Sequence, residues 1–489
     1  MMRPVPGLLC CLLLLAPASA AAQREIAVPT SAYAARRARL FEQVGRQPVL
    51  VPGAYLVRSG GEGRQDPDFW YLTGIESPYA VLLIYPDGTP DGASVVFLPD
   101  SFQFAGAQYS IPDERFRYSA WNRTILRIAP GEETARRLGV EESLPIDGFT
   151  DALARLVGDS EVLWFLRDTG RLYAPPGLSG PRSYRQQLEE AVASRLPGVR
   201  IENVSPLLHR MRLIKDAHEI EALRTAARIS ATGLLSAMKA IAPGKNDLEI
   251  AGVMEATWKA EGSTRAAFAP IVVSGDAAVS LYTLRSEKYN HTWREMKDGE
   301  LIFIDYGAAE YDMYGSDLCR TFPVSGHFSD EQRRYYEIVL EAQEAALARI
   351  RPGVRMEDVI RAAAGVFKAH GLQRNEDIDT MGADRVWGLM PSPTYWVDGP
   401  GELTHYSGAR GTGVRDLGHH IGLDATDSRD YSTPLQPGMV FTVEPKLYIP
   451  ELGIAIMIED MILVTEDGYE NLSVTAPKTV EEIEAVMRR

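Results

Sequence analysis

Apolar residues follow two rhythms along this chain. Up to about residue 205, short apolar runs are bounded by turns rich in Gly, Pro and Asp, and they predict strands at Ala80-Val-Leu-Leu-Ile-Tyr85, Ser94-Val-Val-Phe-Leu98 and Glu161-Val-Leu-Trp-Phe165. Between and after them, the stretches Asp151-Ala-Leu-Ala-Arg-Leu-Val157 and Tyr184-Arg-Gln-Gln-Leu-Glu-Glu-Ala-Val192 space their apolar residues at helical intervals. The alternation predicts an α/β domain. Within it, Arg58-Ser-Gly-Gly-Glu-Gly63 is glycine-rich but lacks a phosphate-cradle pattern and reads as a loop.

From residue 206 the rhythm becomes helical to about residue 265. Glu219 to Ala242 carries apolar residues at helical spacing, and Pro243-Gly244 stops the run. A strand is predicted at Ile271-Val-Val-Ser-Gly275, more strand character over Leu301 to Thr321, a helix from Asp330 to Ile350, and a second set of strands after that. Helices followed by strands thus occur twice, without a visible sequence repeat. The pattern divides the chain into an N-terminal segment 1–22, an α/β domain at 23–205 and a second mixed domain at 206–489. The fold class is α/β, in its α+β sense.

The first 22 residues differ from the rest. Arg3 precedes an apolar run from Leu8 to Ala16, and Ala18-Ser-Ala20 or Ala20-Ala-Ala22 has the small-residue pattern of a signal-peptide cleavage site. The run is shorter than the roughly 20 residues that span a bilayer, and no later stretch reaches that length. Export to the periplasm or beyond is the expectation. Removal of the segment would take Cys10 and Cys11 with it, leaving Cys319 alone and no internal disulfide. With 489 residues, 45% hydrophobic and 24% charged, the composition is that of a soluble globular protein, not a disordered chain or a coiled coil. A net charge of -15 argues against a nucleic-acid or anionic-membrane partner.

Candidate chemistry lies in acids placed within apolar runs. Gly453-Ile-Ala-Ile-Met-Ile-Glu459-Asp460-Met-Ile-Leu-Val464 reads as one strand with Glu459 on the face of Ala455, Met457, Met461 and Leu463. Asp305 shares a face with Leu301 and Phe303, and Glu444 ends the apolar stretch that begins at Met439. A buried carboxylate requires a compensating charge. Asp317 and His419 complete an oxygen-rich set able to hold two divalent ions, for which manganese is favoured and cobalt or zinc are compatible. Taken singly, each residue has an ordinary reading as a turn former, a solvated edge or a core histidine.

Together the segments carry a resemblance. Asp305-Tyr-Gly307, Ser316-Asp317-Leu-Cys-Arg-Thr-Phe-Pro-Val-Ser-Gly326, Gly418-His419-His-Ile-Gly-Leu-Asp424, Val443-Glu444-Pro-Lys-Leu-Tyr448 and Ile458-Glu459-Asp460 resemble the pita-bread dinuclear metallopeptidases, in their Xaa-Pro aminopeptidase (aminopeptidase P) and prolidase branch. Upstream, Asp68-Phe-Trp-Tyr-Leu-Thr-Gly74 and Met211-Arg-Leu-Ile-Lys-Asp-Ala-His-Glu-Ile220 are similar to the signatures of that branch's N-terminal and catalytic domains. The likeness runs from about residue 30 to about residue 480. It implies two pseudo-symmetric halves around a concave sheet, a homodimer or homotetramer, and peptide substrates with proline at the second position. It further implies that Asp317 and Glu459 bridge two metal ions and that Asp305 and His419 complete separate ions. By the same resemblance, Glu444 would both ligate and shuttle the proton to the leaving nitrogen, with a metal-bridging hydroxide as the nucleophile.

Departures from the pattern concern residues around the ligands. Where the family has supporting histidines near His419, this chain has Arg415 and Thr426; a third falls on Lys288 or Tyr282. The arginine two before the last glutamate is Met457, and the Asp305 to Asp317 spacing is one residue longer than the family's. Arg415 is a candidate catalytic residue, stabilising an oxyanion, while His291, His405 and His420 are candidate substitutes. Losses of this kind cost ~10 to 100-fold in metal affinity or activity. Three readings stay open: a metal-dependent Xaa-Pro aminopeptidase, a dipeptidase or other amide hydrolase of the same fold, and a binding protein with little or no catalysis.

Overall fold

The computed structural model describes residues 28–54, 64–104, 107–110, 128–167, 182–263, 265–268, 271–280, 293–307, 310–372, 386–388, 417–427, 433–449 and 452–488. The signal-like segment, Cys10, Cys11, the Arg58–Gly63 loop, Tyr282, Lys288, His291, His405 and Arg415 lie outside them.

In the N-terminal half, the predicted strands assemble into a six-stranded mixed sheet. The strands are β1 (Val49–Pro52), β2 (Val81–Tyr85), β3 (Ala93–Leu98), a hairpin of β4 (Ser101–Phe104) and β5 (Ala107–Ser110), β6 (Glu142–Pro145), β7 (Val162–Phe165) and β8 (Arg200–Asn203). The sheet order is β6-β3-β2-β1-β7-β8, with the β4–β5 hairpin apart from it. β2 and β3 read as near-continuous apolar runs because both faces of the sheet are covered. On one face Leu50, Leu83, Val95 and Phe97 pack on the helices Phe149–Val157 and Tyr184–Arg195, chiefly through Phe149, Leu153 and Val192. Val49, Val51, Leu82, Ile84 and Val96 on the other face meet Leu40 and Phe41 of the helix Thr30–Gln43, and the same cluster continues into Ile421, Leu423, Val440 and Met461. The N-terminal sheet is therefore packed through one apolar layer onto the chain that flanks His419, Glu444 and Glu459.

In the second half, helices precede strands twice, as the periodicity predicts. The helix Ala217–Ala240 starts at a capping box in which Asp216 accepts from the backbone of His218 and Glu219, and it ends just before Pro243. The helix Asp247–Ala260 follows, then β9 (Ile271–Ser274), β10 (Leu301–Asp305) and β11 (Cys319–Pro323) in the antiparallel order β11-β10-β9. The helices Asp330–Leu347 and Met356–Ala369 come next. The remaining strands are β12 (Val386–Gly388), β13 (Val440–Val443), β14 (Lys446–Ile449), β15 (Ile454–Met457), β16 (Asp460–Val464) and β17 (Tyr469–Asn471), in sheets β12-β14-β15 and β13-β16-β17. One large core joins all four helices to β9, β10, β11, β13, β14, β15 and β16. Among the described residues no helix is long and apolar enough to cross a membrane.

The single strand read over Gly453–Val464 is two strands in different sheets, and this corrects the sequence reading. β15 stops at Met457 and β16 begins at Asp460. Beside them β13 and β14 break at Glu444-Pro445, because proline cannot donate to a ladder. Freed from regular pairing, the Glu459 amide donates to the Cys319 carbonyl at 2.9 Å and the Glu444 amide to the Leu417 carbonyl at 2.7 Å. Side-chain alternation survives the break: Ile456, Ile458 and Ile462 all enter the main core.

An ion network ties the two halves together. Arg212 donates to Asp68 at 2.8 Å, to Asp424 at 2.7 Å and to Asp427, while Lys215 donates to Asp427 at 3.0 Å. Three quoted motifs, those of Asp68, Arg212 and His419 to Asp424, thus meet at one guanidinium. Burial alone would raise the Asp427 carboxyl, but Arg212 and Lys215 outweigh it and hold it down at about 2. Removing one partner of a buried ion pair strands the others, at about 3 to 5 kcal/mol. We expect Arg212→Met to lose stability of that order in denaturant unfolding; a loss under about 1 kcal/mol would show that the network is not what joins the halves.

Candidate metal centre

Each acid sits where its strand ends or breaks. Asp305 is the last residue of β10, directly opposite Cys319 of β11. Two residues before β11, Asp317 comes close to Gly307, where a Cβ would lie 2.0 Å from the Asp317 Cα; only glycine permits this approach. That accounts for the Asp305-Tyr-Gly307 motif. Similarly, a Cβ on Gly418 would lie 1.8 Å from the Thr442 carbonyl oxygen, so glycine lets the His419 segment lie against β13.

His419 is then fixed by two hydrogen bonds to one residue. Its amide donates to Thr442 Oγ1 at 3.0 Å, and the Thr442 amide donates to its carbonyl at 2.8 Å. Nδ1 lies 3.2 Å from the His420 carbonyl oxygen, so the proton belongs on Nδ1 and Nε2 keeps its lone pair. Nε2 lies 3.2 Å from Asp317 Oδ2 and 3.8 Å from Glu444 Oε1. Glu444 Oε1 accepts from Thr442 Oγ1 at 3.3 Å and Oε2 from Lys446 Nζ at 2.8 Å. Ligand atoms of Asp317, His419 and Glu459 lie within 4.8 Å of one another. Asp305 is close enough for its charge to act on Glu459 and Lys446. The described structure therefore brings all five predicted ligand residues into one buried neighbourhood, three of them as a compact cluster.

Electrostatics and hydrogen bonding both make this cluster suited to a cation. Burial, and then the charges of Asp317, Glu444 and Asp305, push Glu459 well above the usual glutamate range. Asp317 is raised by burial, against the pull of His419. For His419 burial works to lower the pKa, yet the hydrogen bond and charge of Asp317 raise it. Asp317 Oδ1 and Glu459 Oε2 are buried without a hydrogen-bond partner among the described residues. Orphaned buried carboxylate oxygens are rare unless an ion or water completes them. Divalent ions fit this donor set, with carboxylate oxygens and one imidazole around them.

Several contributors escaped the sequence reading. Arg320 is fully buried and uses every N–H: Nε to the Pro477 carbonyl at 3.0 Å, Nη1 to the Cys319 carbonyl at 2.9 Å and to that of Glu459, Nη2 to Asp460 Oδ1 at 2.7 Å and the Ala476 carbonyl at 3.2 Å. It fastens the backbone of Glu459 beside that of Cys319. Asp460 is thus an ion-pair partner facing away from the ligand cluster. Both residues lay in motifs already singled out, but nothing in sequence pairs positions 140 apart. Thr442 and Lys446 were equally visible as polar residues flanking Glu444. His420 is buried among Phe441, Lys215 and Asp427; burial, then Lys215, lowers it to about 4 and keeps it neutral. Cys319 is a buried strand residue. Thr426 is half-buried in the loop before Asp427, and Met457 is buried beside Cys319 and Tyr448.

A buried carboxylate–histidine cluster at the junction of three antiparallel sheets defines a metallohydrolase centre. Residues 221–466 match the model of metallopeptidase family M24, and residues 33–164 match the N-terminal domain of aminopeptidase P. The Xaa-Pro aminopeptidase of Escherichia coli K12 is 30% identical over 478 residues, covering 92% of this chain and 96% of its own. Among solved structures, a zinc-substituted E. coli aminopeptidase P in complex with product has a TM-score of 0.71 at 28% identity, covering 94% of this chain and 98% of its own. The proline aminopeptidase P II of Yersinia pestis has a TM-score of 0.72 at 27% identity, covering 94% and 99%. The chain belongs to metallopeptidase family M24, in its aminopeptidase P branch, and is an enzyme of the metalloaminopeptidase class.

The raised carboxylates give a pH dependence of definite sign. Glu459 in the folded, metal-free protein keeps a proton that the unfolded chain gives up near 4.5, so that stability is present below this value and is lost as pH rises through the folded value. Metal binding displaces the same proton and strengthens with pH. We expect the unfolding midpoint of the metal-free protein to fall as pH rises above 4.5, while the increment from saturating Mn²⁺ grows. A metal increment that shrinks over that range would contradict this assignment of the cluster.

Proposed function

We propose that this protein is an exported, two-metal exopeptidase that releases the N-terminal residue from peptides with proline in second position. The observation that carries the reading is the compact cluster of Asp317, His419 and Glu459 with its two orphaned carboxylate oxygens, in a chain matched along 92% of its length by an Xaa-Pro aminopeptidase. Asp305, Asp317, His419, Glu444 and Glu459 are the residues that would hold the ions. Manganese is the favoured metal for so oxygen-rich a set. Bound divalent ions supply Lewis acidity and a water that ionises near neutral pH.

The remaining work falls to the chain's own side chains. Glu444 is held from both sides, by Thr442 and by Lys446, so its carboxylate is fixed where it can take up a proton and return it to the leaving nitrogen. That proton matters for proline, whose tertiary amide nitrogen carries no hydrogen of its own. His419 keeps Nε2 directed at Asp317, because Nδ1 is committed to a backbone carbonyl. Burial of all five ligand residues excludes bulk water and strengthens each charge interaction. The export reading rests on Arg3, the apolar Leu8–Ala16 run and Ala18-Ser-Ala20, and the homodimer or homotetramer reading on the family resemblance.

The test uses the chain from about Gln23, stripped of metal and reloaded with Mn²⁺, against Xaa-Pro and Xaa-Ala peptides of two to ten or so residues. Metal-dependent release before proline is the expected result, with Asp317→Ala and His419→Ala bringing turnover to background. Cleavage confined to dipeptides would favour a dipeptidase. Stoichiometric metal binding without cleavage of any peptide would overturn the reading.

A further inference from the structure

A cation stands inside the ligand set itself. Lys446, the first residue of β14, is 1% exposed, and its Nζ lies 2.8 Å from Glu444 Oε2. Its charge also acts on Asp305, Glu459 and Asp317, the other candidate carboxylate ligands. Across the β14–β15 pair, Lys446 is directly opposite Met457. Met457 occupies the position two before Glu459 where the resembling family has an arginine, and it is buried among apolar neighbours. Directly opposite residues on antiparallel strands place their side chains on the same face, about 5 Å apart at Cβ. A positive charge missing from one strand is present on its immediate neighbour.

We propose that Lys446 is a positioning residue that takes over, from the facing strand, the cation missing at Met457: it clamps Glu444 through Oε2, leaves Oε1 as the oxygen turned to His419, and offsets the repulsion among the ligand carboxylates. The inference rests on the metal-centre reading above. Two consequences have opposite signs. A fixed ammonium beside the cluster disfavours a second cation, so it weakens metal binding; by holding Glu444 in one orientation it speeds turnover. A merely structural lysine would not separate these effects, because misfolding weakens binding and turnover together.

The experiment compares Lys446→Met, Lys446→Arg and the exchange Lys446→Met/Met457→Arg, in the chain from about Gln23. Readouts are Mn²⁺ affinity by calorimetry, the unfolding midpoint of the metal-free protein, and kcat against KM on an Xaa-Pro peptide. Lys446→Met should bind Mn²⁺ about tenfold more tightly, unfold at lower temperature without metal, and lose ~10 to 100-fold in kcat with KM little changed. Lys446→Arg, which keeps the charge, should stay within about fivefold of the parent in affinity. The exchange should recover at least about half of the logarithmic loss in kcat. Unchanged Mn²⁺ affinity in Lys446→Met, equal losses in Lys446→Met and Lys446→Arg, or a folded exchange variant without recovery would each overturn the proposal. Should Lys446→Met not fold, the exchange variant's affinity and kcat decide. If the parent cleaves no peptide, the exopeptidase reading fails, and the affinity and unfolding readouts still test Lys446.

Discussion

Mutual repulsion among desolvated carboxylates is the constraint around which this structure is arranged. Asp305, Asp317, Glu444 and Glu459 are all nearly buried, and each raises the energy of the others. Such a cluster persists only with charge brought to it. Lys446 supplies part of that charge from the chain, and two carboxylate oxygens without partners among the described residues are suited to take the rest from divalent ions. A weaker compensation would protonate the acids and remove the site's chemistry.

Holding the acids together costs regular structure, and the chain gives it up at two adjacent places. β13–β14 and β15–β16 both break at their glutamate and pass from one sheet to the next, which turns Glu444 and Glu459 inward at the same level. The amides released by the breaks bond to Leu417 and Cys319, on the segments that carry His419 and Asp317. Irregular backbone thereby links the ligands to one another directly. Arg320 then secures the Glu459 side with five hydrogen bonds, its own charge balanced by Asp460 and kept out of the cluster.

The N-terminal half enters this arrangement from behind. Its sheet shares one apolar layer with Ile421, Val440 and Met461, and Arg212 joins Asp68 to the loop that follows His419. The loop's position, and with it the histidine's, depends on contacts from both halves of the chain. Signature segments without a ligand of their own find their physical role here, in Asp68 and Arg212.

Much of this was legible in the order of residues alone. Local periodicity fixed the strands Val81–Tyr85 and Leu301–Asp305 and the helices Tyr184–Arg195 and Asp330–Leu347, because those patterns repeat within one or two turns. Acids within apolar runs marked Asp305, Glu444 and Glu459 as candidate ligands, since burial of an uncompensated charge is unfavourable wherever the chain folds, and Asp317 and His419 joined them through the neighbouring motifs. What the tertiary structure alone decided is which distant residues meet. Arg320 with Asp460, Arg212 with Asp68 and Asp427, and Lys446 opposite Met457 are pairings set by sheet register and domain packing, over separations that no local pattern encodes. The break at Ile458-Glu459 belongs to the same class: the apolar alternation continues across it unchanged, and only the competing bond from the Glu459 amide to Cys319 shows that one run of sequence serves two sheets.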